Sequence, residues 1–154
     1  MTGAFLVGVR ASLKKGVVRA AMFDMSAMVC PIEGPLVDES EAPCDIGRWL
    51  WVEPANRETL GPTRSALRSN RRTPDSQLGP EFAKRVEEAG NWWRDLILAV
   101  HRVAGEPTCF VYHWYQGQFT TEIVRPRSWT VLRPEVVTSE VFHDLDFDDA
   151  FVIR

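Results

Sequence analysis

Apolar residues recur every three or four positions between Pro80 and Gly105, which predicts a long amphipathic helix. Pro80 suits the first helical turn, because its missing N–H costs nothing there, and Gly105 followed by Pro107 suits the end. Trp92 lies beside the apolar stripe, so it either flanks the core or faces a partner, and flanking is favoured. The stripe itself consists of Phe82, Val86, Ala89, Trp93, Leu96, Ile97, Val100, Val103 and Ala104.

The next apolar run, Cys109–Tyr115, is followed by Gln116-Gly117 and then by a second run, Gln118–Val124. A two-residue turn between two such runs predicts a β-hairpin, with Phe110 opposite Ile123. One face of this hairpin would receive the helix, and the other face is half polar. The pattern predicts an antiparallel sheet that is covered on one side. The helix-facing side would carry Phe110, Tyr112, Trp114, Phe119 and Ile123.

Four shorter strands and one short helix complete the predicted elements. The strands are Ala4–Arg10, Trp49–Val52, Trp129–Leu132 and Ala150–Ile153. The helix is Pro134–Leu145, which would pack through Val137, Val141 and Leu145. Together these elements predict a single α+β domain over residues 1–154, in which an antiparallel sheet packs on one long amphipathic helix.

Three other stretches are less regular. Val17–Val29 fits a helix as well as a strand that returns after Lys14-Lys15-Gly16, and a hairpin with the first strand is favoured. Pro31–Pro43 carries Pro, Gly and acidic residues, so it is predicted to be a loop. Glu53–Gly79 is polar and long, and such a connection is uncommon in a compact domain unless it contacts a partner or is disordered. Both alternatives stay open for this loop.

Composition fits a globular protein of 154 residues, with 45% hydrophobic and 25% charged residues. No run approaches the roughly 20 apolar residues of a membrane span, and the N-terminal apolar stretch is too short for a signal peptide. Cys30, Cys44 and Cys109 are odd in number and widely spaced, which favours reduced buried thiols over a disulfide framework or a zinc site. A soluble cytoplasmic protein is therefore expected.

The net charge of −3 is distributed in blocks. Residues 33–45 hold five acids and no Lys or Arg, residues 57–72 are rich in Arg, and residues 140–149 are again acidic. Charged patches steer the encounter with an oppositely charged partner, so the acidic blocks predict a docking surface for a basic protein. A solvated acidic edge is the other interpretation. The acids on both sides of the Arg-rich block argue against a nucleic-acid footprint.

No motif points to catalysis, a cofactor or a metal. Asp144, Asp146 and Asp148 begin like an EF-hand loop, but Asp149 stands where that loop needs glycine. The three histidines lack zinc-site spacing, and there is no Walker A, GxGxxG or GxSxG pattern. The sequence therefore favours a non-enzyme without cofactor or metal. A small metal-dependent or His-based hydrolase and a non-catalytic scaffold module remain as alternatives.

A small, tryptophan-rich α+β domain with acidic patches and no catalytic motif resembles the bacterial immunity proteins of polymorphic toxin and contact-dependent inhibition systems. This resemblance concerns the plan of the whole chain. It implies a cytoplasmic protein that neutralises a partner protein, often a basic nuclease toxin, by occluding its active cleft. The residues expected to meet that partner are Asp38, Glu39, Glu41, Trp92, Tyr115, Glu140, Asp144, Asp146, Asp148 and Asp149.

Overall fold

The computed structural model describes residues 2–10, 12, 16, 27–31, 37–54, 79–105, 107–115, 123–142, 145 and 148–154. In this part of the chain, six strands form one sheet, accompanied by a long α-helix and two short 3-10 helices. The predicted α+β fold is confirmed. No helix in these ranges is long and apolar enough to cross a membrane. The strands are β1 (Thr2–Val9), β2 (Ala27–Pro31), β3 (Arg48–Pro54), β4 (Thr108–Tyr115), β5 (Ser128–Leu132) and β6 (Asp149–Ile153); the helix is α1 (Gly79–Ala104).

The sheet has the strand order β2-β3-β1-β4-β6-β5. β1 lies in its interior, where Phe5 is opposite Val52 of β3 on one side and Tyr112 of β4 on the other. All pairings are antiparallel except that of β5 with β6, which is parallel. Parallel neighbours need a crossover connection, and residues 133–148 provide it here.

The helix prediction is confirmed, and α1 covers one face of the sheet. Its residues Trp93, Leu96, Ile97 and Val100 are completely buried against apolar side chains of the strands. Gly105 follows the helix at φ 70°, and its N–H donates to the His101 carbonyl at 2.8 Å, which closes the last turn. We call this side of the sheet the helix face. Its buried strand residues are Val7, Val9, Leu50, Val52, Phe110, Tyr112 and Ile153.

The predicted helix over Pro134–Leu145 is wrong in form, since the structure has two 3-10 helices at Pro134–Val136 and Ser139–Phe142. Three consecutive β-branched residues at 136–138 disfavour a continuous α-helix. The predicted packing is nevertheless present, because Val137, Val141 and Leu145 all join the helix-face core. Phe142 is completely buried there and stacks on Phe110 with ring centroids 5.5 Å apart.

The prediction that only one face of the sheet is covered is wrong. Cys109, Val111, Ala150 and Val152 are fully buried on the side opposite α1. They belong to a second apolar cluster that also contains Leu6, Val37, Trp49 and Val124, and against which Cys44 and Ile46 pack. We call this side the loop face, because residues 37–47, hereafter the acidic loop, lie over it.

The predicted hairpin pairing after β4 is wrong where the structure describes it. β4 is flanked by β1 and β6, so Phe110 lies opposite Val7 and Phe151, while Ile123 is 53% exposed. Val124 instead forms a parallel bridge with Val37. Along Thr108–Val111, β6 occupies the edge of β4 that the returning strand would have used. The proposed partners at 118, 119 and 121 lie outside the described residues.

The favoured hairpin between the first strand and Val17–Val29 is also wrong. Both edges of β1 are occupied by β3 and β4, and β2 pairs with β3. Residues 17–26 lie outside the described part of the chain, as do residues 55–78 of the predicted polar loop. The strands predicted at Ala4–Arg10, Trp49–Val52, Trp129–Leu132 and Ala150–Ile153 are confirmed as β1, β3, β5 and β6 within a few residues at their ends.

Candidate partner-binding surface

Backbone hydrogen bonds hold the acidic loop at both ends, at its start to the segment that contains Val124 and at its end to β1. Near its start, the Asp38 N–H donates to the Val124 carbonyl at 2.8 Å, and at its end the Gly47 N–H donates to the Val9 carbonyl at 3.2 Å. A turn inside the loop is closed by the Ala42 N–H, which donates to the Glu39 carbonyl at 3.0 Å. With Val37 buried below, these contacts give the loop one defined conformation.

Close packing at Gly8 of β1 also fixes the position of the loop. A β-carbon built on Gly8 would lie 2.8 Å from Ile46 Cγ2 and 3.0 Å from the Trp49 ring. These distances are far below ordinary carbon contacts of about 3.5–4.0 Å, so only glycine leaves room for the loop at this point. The absence of a side chain at Gly8 therefore lets the loop pack directly on β1.

The loop carries four carboxylates and no cationic residue. Asp38 Oδ1 accepts the Ser40 N–H at 3.0 Å, and this bond and the Ser40 side chain, together with the nearby Arg125, hold the pKa of Asp38 below its ordinary value. Hydrogen bonds to the charged form stabilise that form. Asp38, which is half-buried, therefore stays ionised at neutral pH.

Glu39 differs from the other loop acids because part of its carboxylate is buried. Burial raises the pKa of Glu39, the Trp49 indole opposes this rise, and the charge of Asp45 adds to it. Oε1 of Glu39 and Nε1 of Trp49 are both buried and lack a partner with full hydrogen-bond geometry. Glu39 thus lies against Trp49 of β3 and is not a free surface charge, which limits its predicted role in docking.

The exposed charge of the loop comes from Glu41 and Asp45, whose side chains are open to solvent. Arginines lie near the loop, but none of the described ion pairs involves Glu41 or Asp45. Arg154 donates from Nη2 to the Pro43 carbonyl at 3.4 Å, and Arg125 acts on Asp38. The result is a small acidic surface held in place by the sheet below it.

The other predicted contact residues do not all join this surface. Glu140 lies in the second 3-10 helix, whose Phe142 packs into the helix-face core, so Glu140 belongs to the opposite side of the sheet. Trp92 also lies on the helix side, where it is half-buried and meets Trp93 edge-to-face at 4.7 Å. This confirms that Trp92 flanks the core.

Asp148 and Asp149 stand where the chain enters β6. The Asp148 N–H donates to the Tyr112 carbonyl at 2.7 Å, and Asp149 forms an ion pair with Arg127 at 3.0 Å. Asp148 has φ 67°, a conformation that aspartate tolerates better than most residues. The side chain of Tyr115 and all of Asp144 and Asp146 lie outside the described residues.

The described residues do not assemble the hydrolase alternative. They contain no group of three or more His, Cys, Asp or Glu side chains that could hold a metal ion. The side chains of His113 and His143, two of the three histidines that a His-based hydrolase could use, lie outside the described residues. His101 lines an open groove of about 630 Å³ with Asp95 and Glu135.

His101 has a clear structural partner in this groove. Its Nδ1 lies 3.1 Å from Thr108 Oγ1, and the Thr108 hydroxyl donates to the Gly105 carbonyl at 2.9 Å. Since that hydroxyl proton is already used, Nδ1 of His101 must be the donor and Nε2 carries no proton when the ring is neutral. The histidine thus ties the end of α1 to the start of β4.

Sequence reasoning missed one pair of side chains in the site. Cys44 of the acidic loop and Cys109 of β4 lie with their sulfur atoms 3.9 Å apart. Both are free thiols, Cys109 fully buried and Cys44 half-buried. Burial and the nearby Cys44 and Glu39 raise the pKa of Cys109 well above its ordinary value. Their separation in the sequence gave no local signal of this contact.

No protein-family model, curated protein or solved structure matches this chain. Only the geometry of the loop face therefore bears on its function. That face has a preformed loop, two exposed carboxylates, a third held ionised by its hydrogen bonds, and a buried apolar base.

Proposed function

We propose that the protein is a non-catalytic binding protein that neutralises a basic partner protein by docking the acidic loop into its cationic cleft. The observation that supports this function best is the anchoring of the loop at Asp38, Gly47 and Gly8. A loop already ordered before binding loses little conformational entropy when a partner arrives, which favours affinity. The resemblance to immunity proteins suggests a toxin domain, such as a nuclease, as that partner.

The charge of the loop would act mainly on the rate of association. Asp38, Glu41 and Asp45 project from one short segment without a cation among them. Complementary charges raise association rates at low salt by factors of about 10 or more, and the effect is screened as salt increases. Occlusion of a cleft then depends on the shape of the loop and its apolar base.

The experiment compares two double variants that each remove two negative charges. Glu41→Gln with Asp45→Asn changes the loop, and Glu87→Gln with Glu135→Gln changes exposed acids on the helix side as the matched control. Association with the protein encoded by the neighbouring gene is measured by surface plasmon resonance at low and at physiological salt. We expect the loop variant to associate about tenfold more slowly at low salt and to lose most of its salt dependence.

The control variant should bind with nearly the rate of the unmodified protein, and both variants should keep its melting temperature. Equal slowing in both variants would show that net charge alone is responsible and would reject the loop as the docking surface. If the neighbouring protein does not bind, the role of an immunity protein is rejected.

A further inference from the structure

Cys44 and Cys109 are arranged as a pair of thiols that a disulfide bond can join. The sulfur atoms are 3.9 Å apart, although 65 positions separate the residues in the chain. Cys109 is completely enclosed by the loop-face core, whereas Cys44 is half-buried at its edge and can meet a small solute. The pair therefore has one accessible sulfur and one protected sulfur.

We propose that Cys44 and Cys109 are a peroxide-oxidised modification site, in which a hydroperoxide converts the two thiols into a disulfide that fastens the acidic loop to β4. This inference does not depend on the identity of any binding partner. It assigns different roles to the two sulfurs, because only Cys44 is open to a reagent from solvent.

The disulfide forms in two steps. The thiolate of Cys44 attacks one oxygen of hydrogen peroxide, the O–O bond breaks, and Cys44 becomes a sulfenic acid while the released hydroxide takes up a proton to form water. The sulfur of Cys109 then attacks the Cys44 sulfur, the S–O bond breaks, and the leaving hydroxide takes the Cys109 proton to form a second water. The two cysteines lose two electrons, and the peroxide gains them.

The surroundings of Cys109 favour this order of events. Its high pKa keeps it as a protonated thiol, which makes it a poor first target for peroxide. Cys109 acts in the second step, where the Cys44 sulfur already lies beside it and no reagent has to enter the core. Arg154 lowers the pKa of Cys109 and supports the same step.

The movement that the bond requires can be confined to Cys44. A disulfide places its sulfurs about 2.0 Å apart, so the two must approach by about 2 Å. Cys44 lies between the backbone anchors at Asp38 and Gly47, and none of the described backbone hydrogen bonds involves Cys44 itself. Rotation of the Cys44 side chain and a small shift of its own backbone therefore bring the sulfurs together while both anchors and β4 stay in place.

The test treats the purified protein with hydrogen peroxide and follows its intact mass. We expect the loss of two hydrogen atoms without dimer formation, and recovery of the original mass with dithiothreitol. The melting temperature of the oxidised form should rise by roughly 10 °C, since the bond closes a long loop in the unfolded chain.

Two serine variants locate the bond. Trypsin leaves Cys30 and Cys44 in one peptide, because no Lys or Arg lies between residues 19 and 48, so peptides are mapped in Cys30→Ser. That variant should still form the cross-link between residues 44 and 109, and Cys44→Ser should not lose the two hydrogens. Cross-linking in Cys44→Ser, linkage of other cysteines, or oxidation of Cys44 without linkage would overturn the proposal. The melting temperature of each reduced variant shows that it is folded.

Discussion

Replacing Gly8 by alanine would force β1 and the acidic loop apart. The new methyl carbon would stand 2.8 Å from Ile46 Cγ2 and 3.0 Å from Cη2 and Cζ3 of Trp49. An ordinary carbon contact is about 3.5–4.0 Å, so neighbouring atoms must move by up to about 1 Å. Trp49 is 5% exposed and packed into the loop-face core, which leaves the Ile46 side chain and its loop as the part that yields.

The loss of stability in Gly8→Ala can be estimated. An extra methyl group in a well-packed region destabilises a protein by about 1–3 kcal/mol. For a chain of this length, each kcal/mol changes the melting temperature by about 2–4 °C, so Gly8→Ala should melt about 2–12 °C below the unmodified protein. The displaced loop should also alter the surroundings of Trp49 in the near-ultraviolet circular dichroism spectrum.

Thermal unfolding of two further variants makes this test specific. Gly16→Ala is the matched control, since its β-carbon would meet no atom within 4 Å, and it should keep the melting temperature or raise it slightly. Combining Gly8→Ala with Ile46→Ala removes the nearest clashing atom, so the double variant should lose less stability than the two single changes added together. If Gly8→Ala unfolds at the same temperature as the unmodified protein, or if the two single losses of stability simply add, Gly8 is not in close contact with Ile46.

Two other predictions concern the end of α1 and the pH dependence of stability. Gly105→Ala places a side chain at φ 70° and should cost about 1–2 kcal/mol in urea unfolding, and unchanged stability would contradict a left-handed helix end. The pKa of Glu39 is raised in the folded protein, so the folded state holds the proton of the Glu39 carboxyl group more tightly than the unfolded chain does. The stability that results is lost as the pH rises from about 4 towards neutrality. Glu39→Gln should therefore flatten the pH profile of the melting temperature in this range. The effect should stay below about 1 kcal/mol, because the carboxylate is partly solvated. A profile parallel to that of the unmodified protein would exclude a contribution of Glu39 to the pH dependence.

The elements of this fold could be predicted from sequence where the signal is local. The period of α1 and its end at Gly105 follow from helix geometry, and the strand at Trp49–Val52 follows from alternation. The pairing of strands could not be predicted, because β1 reaches partners far along the chain and no local pattern encodes that choice. The parallel pairing of β5 with β6 is equally non-local.

The acidic charge of the candidate site could be predicted from the sequence, but the arrangement of its side chains could not. The run of acids between residues 38 and 45 identifies the loop, but the burial of Glu39 depends on Trp49, which only the fold places beside it. The apolar residues that cover the loop face, Val37, Cys44 and Ile46, follow neither a helical nor a strand period. For the same reason the contact between Cys44 and Cys109 carries no sequence signature.

The interior position of β1 has a consequence for synthesis in the cell. Its residues pair with Arg48–Val52 and with Cys109–Tyr115, so both neighbours leave the ribosome long after β1 itself. Until Cys109–Tyr115 is translated, one edge of an apolar segment containing Leu6, Val7 and Val9 has no hydrogen-bonding neighbour, and a nascent chain in that condition is a substrate for chaperones. Topologies dominated by such distant pairings also fold slowly, so the yield of native protein should depend on how fast translation delivers β4.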